Sequence, residues 1–325
     1  MKKKILLVIA SLNQGGTQKI IIDLFNYWKQ VGHDIKIITF DNKFQNLNPR
    51  LKKFVTKLEL IKDSKTIFHS IINNLKRIYK LRKILKENQE SQILSFIYTT
   101  NILTIIANFG LKNHLIISER NDPEFQTISN IWSLLRNIFY RFADKVTANS
   151  QKACRTIRKY VPSKKVIFIP NHIFFKKKRL TSKKKKIILG VGRLHPQKGF
   201  DILIESFYLS KVYNKGWKLV ILGEGLQKRF LKQKVKKLEL HNKVVFKGFQ
   251  NTLHWYKKSK IFVISSRFEG TPNVLLEAMA MGLPSIITSS CPGAMYYVKH
   301  GISGLIVPPE NTLALAKSIR MIVNN

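Results

Sequence analysis

The chain has 325 residues, a formal net charge of +40, 44% hydrophobic residues and two cysteines. That length suits two ordinary domains, and that composition excludes a disordered chain. Cys154 and Cys291 stand far apart with no second ligand near either, which excludes a thiolate zinc cluster and a disulfide framework and fits a reducing cytoplasm. The excess of Lys and Arg points to an acidic partner: nucleic acid, anionic lipid or a phosphorylated substrate. Part of that excess belongs to a Lys-, Ile- and Asn-rich composition of the kind mutational bias produces.

Met1-Lys2-Lys3-Lys4 and the apolar run at 5–10 imitate a secretory leader. The run is short, however, and Asn13-Gln14-Gly15-Gly16 stands where a cleavage site belongs, so 5–10 reads as a buried parallel strand. A helix follows over about 17–30, with Ile20, Ile21, Leu24, Phe25 and Trp28 at helical spacing. Gly32 ends it, and 34–40 is the next strand. The result is a βαβ unit whose glycine pair, Gly15 and Gly16, lets backbone approach a ligand or another segment. Gly-x-Gly-x-x-Gly is absent, so there is no dinucleotide fingerprint. No apolar stretch reaches the roughly 18 residues of a spanning helix.

Residues 51–86 are dense in Lys and Arg. Ile67, Phe68, Ile71, Leu75, Ile78, Tyr79 and Leu85 give an apolar helical face, and Lys76, Arg77, Lys80, Arg82, Lys83 and Lys86 occupy much of the rest. Such a helix either lies on anionic lipid or packs on a core with a solvated basic face. A second candidate for a membrane interface runs over 131–142, with Trp132, Leu135, Ile138, Phe139 and Phe142 among Arg136 and Arg141. Strands are expected at 92–96, 115–118, 145–149 and 166–169, with a helix from Ser150 to about Tyr160. The strand at 115–118 runs into Glu119-Arg120-Asn121-Asp122-Pro123. A polar, Lys-rich, aperiodic connection at 175–186 follows Ile169-Pro170-Asn171, so the domains are placed at 1–175 and 176–325.

The second half opens with a strand at 187–191, then Gly192-Arg193-Leu194-His195-Pro196-Gln197-Lys198-Gly199, then a helix. Two fixed cations at a strand end suit a phosphate: Arg supplies a planar fork and Lys a point charge. In so basic a chain, two surface cations near a helix start explain the same residues. Further strands are expected at 218–222, 244–246 and 285–288, with a basic helix over 226–240. The apolar run 261–264 leads into Ser265-Ser266-Arg267-Phe268-Glu269-Gly270-Thr271-Pro272-Asn273 and an apolar helix carrying Glu277. Thr271 is expected to cap that helix, Pro272 to open it, and Gly282 to close it. Glu277 is costly to bury in such a helix without a partner, whether that partner is a neighbouring Lys or a ligand. Glu269 and Glu277 thus stand at the mouth of a βα loop, where α/β folds bind ligands.

Glu-(seven residues)-Glu after a strand, together with strand, Gly-Arg-x-x-x-x-Lys-Gly, helix, resembles the family-4 retaining glycosyltransferases. The resemblance covers nearly the whole chain, most specifically its second half. It implies an α/β chain of the GT-B fold, two Rossmann-like domains with parallel sheets facing across a cleft, the first for acceptor and the second for nucleotide sugar. It implies transfer from a nucleotide diphosphate sugar, with departure and attack on one face of the anomeric carbon. Arg193 and Lys198 would stabilise the leaving diphosphate. Glu269, Gly270, Thr271 and Asn273 would hold sugar hydroxyls and phosphate, with the helix N-terminus assisting. Glu277 would accept from the ribose hydroxyls, Gly15 and Gly16 would lie near the donor phosphates, and Lys247-Gly248-Phe249 would lie beside the nucleobase. Arg193, Lys198 and Glu269 are the residues expected to carry catalysis.

The loop at Glu119, Arg120 and Asn121 is similar to that of enzymes building bacterial surface polysaccharides and lipid-linked oligosaccharides, and is assigned to the acceptor side. A UDP-hexosamine donor, a lipid-linked or polysaccharide acceptor and an anionic membrane surface on the inner face of the plasma membrane follow as expected partners. No cofactor is expected, and no Asp-x-Asp or other carboxylate cluster offers metal-ligand spacing. Two departures stand out. Tyr296-Tyr297 occupy a place where relatives often carry an acid, and the chain stops at Asn325 where relatives usually add a helix crossing back to the first domain. Rival readings are a GT-B epimerase or phosphorylase, a shortened inactive relative, and a basic nucleic-acid-binding protein. Against the last, there is no zinc spacing, aromatic RNA-binding motif or recognition-helix pattern.

Overall fold

The computed structural model describes residues 2–12, 16–41, 49–58, 67–121, 123–124, 126, 128–171 and 184–324. The chain divides into two units, Met1–Pro170 and Asn171–Asn325. A boundary at 175/176 lies outside the described residues, as does Gly15.

The first unit carries strands β1 (Lys4–Ile9), β2 (Asp34–Thr39), β3 (Val55–Lys57), β4 (Gln92–Phe96), β5 (His114–Glu119), β6 (Lys145–Ala148) and β7 (Val166–Phe168). All neighbours pair in parallel, in the order β3-β2-β1-β4-β5-β6-β7. Its helices are α1 (Gly16–Gln30), α2 (Pro49–Lys52), α3 (Ile67–Glu87), α4 (Tyr98–Asn108), α5 (Asn130–Phe139) and α6 (Gln151–Ile157). Alternation along β1 serves both faces of the sheet: Leu6 and Val8 join one apolar cluster, and Ile5, Leu7 and Ile9 join the other. A strand buried on both faces needs a continuous apolar run, which is what the sequence supplies.

The second unit repeats the plan with β8 (Ile187–Val191), β9 (Lys218–Leu222), β10 (Val244–Phe246), β11 (Ile261–Ile264), β12 (Ser285–Thr288) and β13 (Gly304–Val307). The order is β10-β9-β8-β11-β12-β13, again all parallel. Helices α7 (Phe200–Ser210), α8 (Lys228–Lys237) and α11 (Thr312–Asn324) cover one face, and α9 (Thr252–Lys258) and α10 (Asn273–Ala280) the other. Both units are therefore Rossmann-like. In each sheet the strand order reverses once, between β1 and β4 and between β8 and β11. Open α/β sheets bind ligands beyond the carboxyl ends of the strands at such a reversal.

Three expectations need correction. Helix α10 starts at Asn273, and Pro272, with ψ 119°, is its extended N-cap and not its first helical residue. Helix α6 takes Ser150 as its cap, the hydroxyl accepting from Ala153 N, but ends at Ile157. Helix α3 does not bury one apolar face: Leu81 and Leu85 are in the core, whereas Ile71, Leu75 and Tyr79 are exposed on a second stripe. The side chains of Ile67 and Phe68 lie outside the described residues.

Candidate active site

The loop after β8 and the loop after β11 lie side by side at the strand reversal of the second unit. The first is pinned to the loop after β9, Gly192 N donating to Leu222 O at 2.9 Å and Leu194 N to Glu224 O at 2.9 Å. A short 3-10 turn, Pro196–Lys198, then delivers the chain to Gly199, whose φ of +61° is left-handed. A Cβ at Gly199 would overlap the carbonyl oxygen of Ser265, so only glycine lets the two loops pass this closely.

Lys198 runs its aliphatic stem over Gly192 and pairs its ammonium with Glu269 Oε1. The Ser266 hydroxyl donates to the same carboxylate oxygen at 3.0 Å. Arg193, at the other end of the loop, is exposed and has no partner among the described residues. The structure thus brings Lys198 and Glu269 into contact and leaves Arg193 open to solvent. A paired ammonium beside an open guanidinium suits an anion that arrives with the substrate.

Glu277 is buried, and its Oε2 accepts from Tyr256 at 3.0 Å and from Thr252 at 3.4 Å. Burial first, and the Glu277 charge second, push the Tyr256 phenol above its usual range, so it stays a donor. Asn171, the first residue of the second unit, donates through Nδ2 to Thr271 O at 2.8 Å and to Asn273 Oδ1 at 2.7 Å. Tyr297 in turn donates to Asn171 O at 3.2 Å, which gives that tyrosine a structural contact. Gly293 packs against Gly270 and Thr271 so closely that a Cβ there would overlap the Thr271 hydroxyl. Cys291, two residues before Gly293, is buried; burial, then the Glu269 charge, push its thiol up to about 12.

In the first unit, Gly16 opens α1, and Ser11, just past β1, is fastened to the segment after β2, its Oγ donating to Asp41 Oδ2 at 2.9 Å. Glu119 ends β5 but turns inward. It is 1% exposed, its Oε1 accepting from Arg120 N at 3.1 Å and its Oε2 from Tyr140 at 2.8 Å. Burial pushes its carboxyl above the usual range, against the Tyr140 hydrogen bond and the Arg136 charge. Arg136 is itself buried, donating to Pro123 O at 3.4 Å and to Gln126 Oε1 at 3.4 Å. Desolvation lowers the Arg120 guanidinium to about 10, against the Glu119 charge, while Asn121 is exposed. Beside this loop, Ile97 holds a φ of +73° at the entry to α4, unusual for a β-branched residue. Glu119 therefore shapes the loop from within. Glu119→Ala would leave the Tyr140 hydroxyl and the Arg120 amide without their acceptor, and is expected to cost about 1–3 kcal/mol. Equilibrium denaturation measures it; an unchanged midpoint would contradict the inward role.

Among the described residues, no group of three or more His, Cys, Asp or Glu could hold a metal ion. No described helix is long and apolar enough to cross a membrane.

Residues 14–174 match the family model "Glycosyltransferase Family 4", and residues 171–325 match "Glycosyl transferases group 1". Over 99% of this chain and 89% of the relative, it is 32% identical to the GalNAc-alpha-(1->4)-GalNAc-alpha-(1->3)-diNAcBac-PP-undecaprenol alpha-1,4-N-acetyl-D-galactosaminyltransferase of Campylobacter jejuni. The chain belongs to the family-4 glycosyltransferases. A second C. jejuni enzyme is 27% identical over 99% of this chain and 91% of its own length. It is the N-acetylgalactosamine-N,N'-diacetylbacillosaminyl-diphospho-undecaprenol 4-alpha-N-acetylgalactosaminyltransferase. Among solved structures, HepE of Anabaena with UDP-glucose aligns with a TM-score of 0.80 at 20% identity, over 98% of this chain and 89% of that one. TarM aligns with 0.83 at 14% identity, over 100% and 92%. At those identities the likeness shows the fold, which is GT-B.

Around these loops the glycosyltransferase carries contacts its sequence did not single out: Gln197, Ser266, Arg267 and Tyr256 in the second unit, and Arg136 and Tyr140 behind Glu119. Arg267 was visible within the Glu269 stretch, but a lone arginine in so basic a chain carries no signal of its partners.

Proposed function

We propose that this glycosyltransferase moves an N-acetylhexosamine from its UDP donor to an undecaprenyl-diphosphate-linked glycan, with retention and without a metal ion. The observation that carries the reading is the junction of Lys198 with Glu269 beside the open Arg193, at the strand reversal of the second unit. As the anomeric bond breaks, the leaving diphosphate gains charge that Arg193 and Lys198 are placed to stabilise, in the office a divalent ion fills elsewhere. Glu269 and the Gly270, Thr271 and Asn273 segment hold sugar hydroxyls and phosphate, and Glu277 the ribose. On the first unit, Arg120 and Asn121 meet the acceptor on a loop that Glu119 shapes. The donor and acceptor classes are supported by the two C. jejuni relatives, both named as N-acetylgalactosaminyltransferases on undecaprenol-linked substrates.

An acceptor of that kind sits in a bilayer, and the first unit has a surface suited to anionic phospholipid. Ile71, Leu75 and Tyr79 are exposed along α3, followed by exposed Arg82, Lys83 and Lys86. Ile131, Leu134 and Ile138 are exposed along α5, with Phe142 just beyond. Apolar stripes flanked by cations bind such a surface through both terms. The protein is placed peripherally on the inner face of the plasma membrane.

The experiment is transfer from UDP-N-acetylgalactosamine and UDP-N-acetylglucosamine to a diphospho-undecaprenol glycan in vesicles, with excess chelator. Product is expected with chelator present, faster in anionic than in zwitterionic vesicles. A strict metal requirement, or release of free sugar with no acceptor, would overturn the reading; the second result would favour an epimerase or phosphorylase.

A further inference from the structure

Arg267 stands two residues before Glu269 and makes more contacts to its surroundings than either expected cation. Its backbone N donates to Gln197 O at 2.8 Å, and its Nη1 to Pro196 O at 2.6 Å. Its guanidinium forks onto Asp201, Nη1 to Oδ1 at 3.0 Å and Nη2 to Oδ2 at 2.8 Å. Its Nε reaches Glu310 Oε1 at 2.9 Å. Gln197 returns the bond through Nε2 to Phe268 O at 3.0 Å, and Ser265 Oγ donates to Lys198 O at 3.1 Å.

Every one of these bonds except that to Glu310 joins the loop carrying Lys198, or the first turn of α7 behind it, to the loop carrying Glu269. Glu310 adds a third anchor, from a residue whose φ of +56° is left-handed and non-glycine. Backbone held in that region is kept there by its surroundings. Asp201 is pulled below the usual carboxylate range; burial works the other way, and the Arg267 hydrogen bonds and charge overcome it. The forked donors of a guanidinium suit this place, since one group serves a carbonyl and two carboxylates in different directions.

We infer that Arg267 is a positioning residue: it latches the Gly192–Gly199 loop to the Ser265–Gly270 loop so that Lys198 and Glu269 act on the same donor. This rests on the proposed transfer reaction, and goes beyond it by assigning a residue that touches no substrate. Misplacing a catalytic group by about 1 Å costs on the order of 100-fold.

Two measurements test it. In hydrogen exchange of the free protein, Arg267→Ala is expected to lose at least about 10-fold protection at the amides of Lys198 and Gly199, which bond within that loop. Unchanged protection at both would overturn the latch. In kinetics with UDP-N-acetylhexosamine, Arg267→Ala is expected to lower kcat by about 30-fold, with partial recovery in Arg267→Lys. Against a Lys198→Ala background the same change should add no more than about 3-fold, because the latch acts through Lys198. Losses that multiply in full would reduce Arg267 to a structural role and overturn the inference. A wild-type protein that turns over no nucleotide sugar would sink the proposed function, and the exchange measurement would still decide the latch.

Discussion

Lys198→Ala is expected to lower kcat by about 100- to 1,000-fold, the loss typical of removing one preorganised group from a developing anion. The fold should survive, because Lys198 is a loop residue whose stem lies over Gly192 and outside the apolar clusters of the second unit. What changes is local: the Glu269 carboxylate loses its cation and keeps only the Ser266 hydroxyl of the two contacts described for it. Arg193→Ala removes a solvent-facing guanidinium, so its effect should fall on donor KM as well as on kcat. Measured side by side with melting temperature, both variants should separate turnover from stability. If each single variant turned over at the wild-type rate, the diphosphate assignment would fail, whatever the family.

Gly199→Ala is expected to have the largest effect on stability, on the order of 4 kcal/mol. Two costs combine. An alanine resists the left-handed backbone at φ +61°, and its Cβ would overlap the Ser265 carbonyl oxygen, which belongs to backbone that cannot swing aside. The loop after β8 would have to leave the loop after β11, separating Lys198 from Glu269, so turnover should fall with stability. The denaturation midpoint of the second unit is the measurement. A variant as stable as the wild type would mean that the two loops tolerate a wider spacing than their packing implies.

Most of the fold was legible because its strands are buried on both faces and read as unbroken apolar runs. Strand β3 was not, being a three-residue edge whose side chains are half-buried or exposed. Helix α4 was also missed, for the opposite reason. It is buried nearly all round, Thr100, Asn101 and Thr104 included, so it shows no stripe for helical periodicity to find. The start of α10 was misplaced because proline suits both the N-cap and the first turn, and only the ψ of Pro272 separates them.

At the candidate site, residue type and local spacing singled out Arg193, Lys198, Glu269 and Glu277. The contact between Lys198 and Glu269 was beyond local spacing, since 71 positions separate them and only the strand order brings their loops together. Arg267 and Arg136 are two of 58 Lys and Arg residues, and nothing local marks the first as paired to two carboxylates or the second as buried. Glu119 was expected just past the strand and is instead the last residue of β5, and the inward turn of its carboxylate depends on Tyr140, which arrives from beyond α5.

The burial of Cys291 has a practical consequence. The only other cysteine in the chain, Cys154, is buried in the first unit, so native protein presents no exposed thiol. Cys291 lies between Ser290 and Gly293, whose backbone bonds to Glu269 and Gly270, with its sulfur protonated at neutral pH. Alkylation there requires the segment around it to open, and its rate counts those openings. The molecule thus carries its own chemical clock for opening of the segment that backs the Glu269 loop, readable by mass spectrometry without adding a label.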